Sequence, residues 1–171
     1  EQVIPATGHD FTEWETIAET SCTKEGITQR RCKICGFTET KKLDKKAHEW
    51  GTEYTVDQPA TFAADGSKSI HCKNCETISE AIAIPRINSV KISATACTYS
   101  GGVKTPSVTV KDANGNALHN KTDYIVQYAS GRKNVGTYKV IVTFKDNYSG
   151  KKTLSFTINP KGTAISSLSK S

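Results

Sequence analysis

The chain has 171 residues, of which 36% are hydrophobic, 8% aromatic and 23% charged, and it contains no methionine. That balance excludes an intrinsically disordered polymer, and no apolar run approaches the roughly 18 residues of a membrane-spanning helix. The net charge of +6 divides unevenly, with 11 Lys and Arg against 14 Asp and Glu over residues 1–86 and 12 against 3 over residues 87–171, which argues against one uniformly built domain.

The amino-terminal half carries an internal repeat. A shift of 40 sets Thr12-Glu13-Trp14 on Thr52-Glu53-Tyr54, Gly26 on Gly66, Cys32-Lys33 on Cys72-Lys73, and Cys35 on Cys75. A shift of 80 sets Ile4-Pro5 on Ile84-Pro85, and His9 corresponds to His48 once one residue is inserted. The register predicts a first repeat over 1–44, a second over 45–86 and a new module from 87. In the first repeat, FTEWETIAE (11–19) alternates about Phe11 and Trp14, Gly26 marks a turn before ITQRRC (27–32), and FTETKKL (37–43) reads as a further short strand. In the second, Gly66 precedes SKSIHC (67–72) in the same way. Modules of this length bury too little apolar area to fold without a staple.

The cysteines are the candidates for that staple. The first repeat reads His9-x12-Cys22-x9-Cys32-x2-Cys35. Two cysteines two residues apart can grip one tetrahedral ion in a tight turn, and Gly36 lets the backbone curl round the sulfurs. His9 and Cys22 then complete a Cys3His set, with His48, x12 after Cys35, as the alternative to His9. The repeat register favours His9. The second repeat has Phe62 in place of Cys22 and Glu76 in place of Gly36, which leaves His48, Cys72 and Cys75 as a degenerate set, with His71 or nothing as fourth ligand. The expectation is structural Zn2+ in the first repeat only, with disulfides or free thiols as the alternatives. Thioredoxin-like chemistry needs a βαβ setting, haem attachment needs His directly after the second Cys, and a zinc deaminase needs His-x-Glu before Pro-Cys-x-x-Cys; none is present.

From Ile87 the texture changes to short alternating runs: VKI (90–92), SVTVKD (107–112), DYIVQYA (123–129), GTYKVIVTF (136–144) and KKTLSFTI (151–158). Gly101-Gly102, Asn114-Gly115, Asn134 with Gly136, and Ser149-Gly150 punctuate them as turns. These predict an antiparallel β-sandwich over 87–160, followed by a flexible linker over 161–171. Pro85 is expected in an extended connection and Cys97 in a small apolar slot.

The stretch 98–158 resembles the bacterial immunoglobulin-like repeats of surface proteins from Gram-positive gut anaerobes. Its landmarks are the Tyr99-Ser100-Gly101 opening, Asp123-Tyr124 before an alternating strand, Asn134-Val135-Gly136-Thr137 and Asn147-Tyr148-Ser149-Gly150. The first half is similar to the short Cys-x9-Cys-x-x-Cys-Gly repeats, introduced by IPATGH (4–9), of the same kind of protein. NPKGTAISSLSKS (159–171) resembles a linker leading into a further domain. The fold implied is mainly β: two small zinc-ribbon-like modules followed by an antiparallel Ig-like sandwich.

What the resemblance implies is an exported, wall- or cell-surface-associated segment of a longer protein, acting as a spacer or presenting something for adhesion. A chain that begins at Glu1 without methionine fits a processed piece. No catalytic constellation stands out. His119 lies in a turn-rich stretch, and Glu13, Glu15, Glu53 and Asp57 read as solvated surface, so no enzyme is expected. The alternative is a binding module for wall polymer or host glycan, through Lys111, Lys121, Arg132, Lys133, Lys139, Lys145, Lys151 and Lys152. A nucleic-acid zinc finger fails on charge, because the cysteine-bearing half is acidic.

Overall fold

The computed structural model describes residues 8–162, and among them the alternating segments form thirteen strands with no helix. The protein is mainly β, and no helix among the described residues is long and apolar enough to cross a membrane.

The forty-residue repeat is a repeat of structure. In the first copy β1 (Glu15–Ala18), β2 (Gly26–Arg31) and β3 (Thr38–Leu43) form an antiparallel sheet in that order. In the second, β4 (Thr55–Gln58), β5 (Gly66–Ser69) and β6 (Ile82–Ile84) do the same. Both first hairpins carry a register shift at the same place, between Thr16 and Ala18 and between Val56 and Gln58. Their turns are closed alike. Ser21 Oγ accepts the N–H of Lys24 at 3.0 Å, and Thr61 Oγ1 accepts that of Ala64 at 3.0 Å.

The paired glycines act differently from the turn role that the sequence suggests. Gly26 and Gly66 open β2 and β5 and are buried. A Cβ on Gly26 would lie 2.8 Å from the Ala18 carbonyl oxygen, and one on Gly66 would meet the Gln58 carbonyl and the Ala60 N–H. Their value is the close approach of two backbones at the bulge.

The chain divides into two compact units that cut across the second repeat. One holds the chain up to Tyr54 together with Ile70–Glu80; the other holds Thr55–Ser69 and the chain from Ala81 onward. The second unit contains a sandwich. One sheet has β7 (Ile87–Ile92), β9 (Val108–Asp112) and β10 (Ala117–Leu118) in the order β10-β9-β7. The other has β8 (Ala96–Thr98), β11 (Tyr124–Tyr128), β12 (Gly136–Phe144) and β13 (Lys151–Asn159) in the order β11-β12-β13-β8.

Alternation sets which face is inside. Val140, Val142 and Phe144 of β12 and Phe156 and Ile158 of β13 are buried, while Thr137, Lys139, Thr153 and Ser155 are exposed or half-exposed on the other face. The expected wholly antiparallel pairing fails at one edge, where β8 runs parallel to β13. Only residues 93–95 lie between β7 and β8, so one pass of the chain serves the first sheet and then the edge of the other. Cys97 packs against the Val140, Phe156 and Ile158 cluster, as expected of a small apolar filler.

The sheet of the second repeat belongs to this unit. Ala60 and Ile84 share a core with Ile87, Val110, Tyr124, Val142 and Phe144. The Phe62 ring meets Phe144 edge-on, with centroids 5.4 Å apart. Pro85, expected in an extended linker, stands between Ile84 and Ile87, both buried in that same core. The Arg86 N–H donates to Asp65 at 2.8 Å, and the Ala113 N–H to the Arg86 carbonyl at 2.9 Å. Of the expected 161–171 linker, all beyond Gly162 lies outside the described residues, as does most of the IPATGH motif.

Gly66→Ala is predicted to destabilise the second unit by about 1–3 kcal/mol, the cost of overpacking a rigid backbone contact. Gly102→Ala, where a Cβ meets nothing nearer than 3.7 Å, stays within about 0.5 kcal/mol of wild type. Denaturant unfolding followed by far-ultraviolet circular dichroism distinguishes the two.

Candidate metal centres

Two Cys/His sets assemble in the first unit, and the hairpin geometry of each repeat explains how. Phe11 forms a bridge with Cys32, and Trp50 one with Cys72. In each copy this bridge brings the histidine just before the aromatic residue beside the Cys-x-x-Cys turn. The Lys33 N–H donates to the Asp10 carbonyl at 2.8 Å, and the Lys73 N–H to the Glu49 carbonyl at 2.8 Å. The Cys32 N–H reaches the Phe37 carbonyl, and the Cys72 N–H that of Thr77. Each histidine is also held by a ring: His9 stacks on Phe37 with centroids 5.1 Å apart, and His48 on Trp50 at 5.0 Å.

In the first set Cys35 Sγ lies 3.4 Å from His9 Nδ1. In the second, Cys75 Sγ lies 3.4 Å from His48 Nδ1. The ligand atoms of His9, Cys32 and Cys35 all fall within 4.8 Å of one another, and so do those of Cys22, His48, Cys72 and Cys75. Cys22 Sγ sits 3.9 Å from Cys72 Sγ, and all six cysteines are free thiols.

This corrects the expected ligand set. Cys22 does not join His9, Cys32 and Cys35; it completes the site of the second repeat. The set at the repeat that reads as degenerate gathers four candidate ligands, and the one that reads as complete gathers three, among the described residues. The reason is β2. Cys22 precedes that strand and Cys32 follows it, and its six residues span about 20 Å at roughly 3.3 Å per residue. A formed β2 therefore keeps the turn cysteine away from its own Cys-x-x-Cys. The signal was present in the sequence, because ITQRRC already reads as a strand. His48 belongs to the second set and is no alternative to His9. His71 stands outside both sets; its backbone forms a bridge with Ile78.

The electrostatics suit a bound cation. Backbone N–H groups of Cys35 and Ile34 hold the Cys32 thiol down, against burial, to about 6. Burial pushes Cys72 up, but the Asn74 N–H, His48 and Cys75 outweigh it and bring this thiol also to about 6. The Thr77 hydroxyl lowers Cys75, and Cys72 raises His48. Cys22 moves the other way, to about 11, through its contact with Cys75, then burial and Cys72. Three thiolates within one site repel one another, so the third ionises only when a positive charge compensates. Either set could hold a metal ion.

The first unit has little else at its centre. Among its described residues, the buried ones are Cys22, Gly26, Cys32 and Cys72. Trp14, Ile17, Ile27, Phe37, Trp50 and Tyr54 are all substantially exposed. Comparison with protein-family models, with curated proteins and with solved structures gives no match.

A thiol whose folded pKa lies below its unfolded value contributes stability that is lost as pH falls through the folded value. A bound metal favours the thiolates further, so release falls below pH 6, the region where Cys32 and Cys72 would protonate in its absence. Metal is expected to be retained at pH ~7 and lost on acidification towards pH ~4. Metal content after gel filtration, with fluorescence of Trp14 and Trp50, follows it; unchanged content across that range contradicts the assignment.

Proposed function

We propose that this chain is a non-catalytic extracellular segment that spaces or presents other parts of a longer cell-surface protein, with zinc as a structural clip. The observation that carries the reading is the burial pattern of the first unit, where the only buried side chains among the described residues are thiols of the two Cys/His sets. A metal placed there substitutes for an apolar core, which is the role of a closed structural site.

Zinc fits the donor atoms. Metal–sulfur bonds of about 2.3 Å and metal–nitrogen bonds of about 2.0 Å give tetrahedral edges of about 3.8 Å between sulfurs and about 3.5 Å from sulfur to nitrogen. The separations of 3.9 Å for Cys22–Cys72 and 3.4 Å for Cys75–His48 lie close to those edges. Soft thiolates with imidazole select zinc over calcium or magnesium. His48, Cys72, Cys75 and Cys22 would hold one ion, and His9, Cys32 and Cys35 would contribute to a second.

Export and surface exposure follow from the resemblance of the modules, and labelling tests them. Antibody raised against this chain is expected to stain intact cells of its source as strongly as lysed ones. Staining that appears only after lysis contradicts the location and the spacer role with it.

The basic half supports a second reading, as a binder of anionic wall polymer or host glycan. Lys139 and Lys151 stand on the outer face of the β12–β13 pair, and Lys111, Lys121 and Lys133 are also exposed. Retention on a sulfated matrix at low salt, lost as the Debye length contracts from about 10 Å at 0.1 M to about 3 Å at 1 M, is its signature. Flow-through at low salt contradicts it.

A further inference from the structure

The two Cys/His sets are related by the repeat, yet one has a turn cysteine docked on it and the other has an open cleft. We infer that His9, Cys32 and Cys35 form an open metal centre whose fourth ligand is a cysteine thiolate on a turn of the Cys22 kind, donated by another repeat. The inference rests on the structural-zinc reading above and specifies how one of its sites is completed.

The second set shows how such a turn docks. Thr20, Ser21 and Cys22 face Lys46, Ala47, Glu49 and Asn74 across a cleft. The Lys46 N–H donates to the Ser21 carbonyl at 3.0 Å, and the Thr20 hydroxyl to the Asp44 carbonyl at 2.7 Å. In the repeat register, Ala47, Glu49 and Asn74 correspond to Gly8, Asp10 and Ile34. Those three residues, with His9, Cys32 and Cys35, line a cleft of about 240 Å³ at the first set. The part of the acceptor surface formed by Ala47, Glu49 and Asn74 thus has its counterpart at the first set.

The chemistry of the open cleft points the same way. His9 and Cys35 are exposed where His48 and Cys75 are half-buried. Ile34 is 84% exposed and Phe37 56%, so two apolar side chains stand uncovered beside the set. The equivalent positions of the covered second set, Asn74 and Thr77, are polar. Residues 1–7 contain no cysteine or histidine. A second copy of this chain is not the donor, because its Cys22 is committed to its own second set and Phe62 occupies the equivalent turn. On docking, the incoming thiol forms one metal–sulfur bond and releases its proton to solvent.

Co2+ is the probe, added anaerobically to the full chain, with the synthetic peptide Thr-Ser-Cys-Thr-Lys-Glu-Gly, the sequence of residues 20–26, supplied in trans. The first equivalent is expected to show the charge-transfer intensity of three thiolates, and the second that of two. The peptide raises the second from two sulfurs to three and leaves the first unmoved. At ten times its dissociation constant it tightens Co2+ at that site roughly tenfold. The Cys22→Ser form of the peptide does neither, and the loaded chain sediments as a monomer.

The inference is overturned if the second equivalent already carries three thiolates, if millimolar peptide leaves it unchanged, or if metal drives the chain into a dimer. A first equivalent without the three-thiolate signature overturns the structural-metal reading itself, and this inference with it.

Discussion

The first unit is organised around sulfur. Its sheet of β1, β2 and β3 has apolar side chains, but Ile17 and Ile27 stay exposed, and the atoms withdrawn from water at its centre are Cys22, Cys32 and Cys72. Short strands with lysine and glutamate on both faces cannot close over a core of their own. The Cys-x-x-Cys turn, held by its own backbone N–H groups and by the bridge to the preceding aromatic residue, therefore sets the local geometry. On the structural-metal proposal, a cation shared by thiolates and imidazole would supply what aliphatic packing does not.

One position in the repeat serves as a connector, and its chemistry differs between copies. In the first repeat the turn between β1 and β2 presents Cys22, which joins the Cys/His set of the repeat that follows. In the second repeat the equivalent turn presents Phe62, which packs edge-on against Phe144 of the sandwich, with the Lys152 ammonium 5.9 Å from the ring centroid. The same turn, closed by a Ser or Thr hydroxyl, joins a Cys/His set in one copy and an apolar core in the other, according to one side chain. The change of residue at this place reflects a change of what comes next in the chain.

Much of this was legible in the sequence. Period-two alternation located β9, β11, β12 and β13 and the inward face that carries Val140, Val142 and Phe144, because alternation follows directly from the pleat. The shift of 40 located both Cys-x-x-Cys turns and their histidines. Ligand spacing alone does not carry strand length. His9-x12-Cys22-x9-Cys32 looks like one ligand set on paper, whereas the strand between Cys22 and Cys32 holds them at opposite ends. Gly26 and Gly66 stand out in the sequence, but a close backbone approach and a turn call for the same residue, and the pattern does not separate them. The parallel edge of β8 depends on which sheet a three-residue strand joins, and no local pattern records that.

Whether Cys22 shares an ion with the second repeat is decided by 113Cd-substituted protein. A proton–cadmium correlation through the cysteine Hβ protons reads out which side chains share an ion. One cadmium resonance coupled to Cys22, Cys72 and Cys75 together is expected, with a separate one coupled to Cys32 and Cys35 without Cys22. A single resonance joining Cys22 to Cys32 and Cys35 would contradict it.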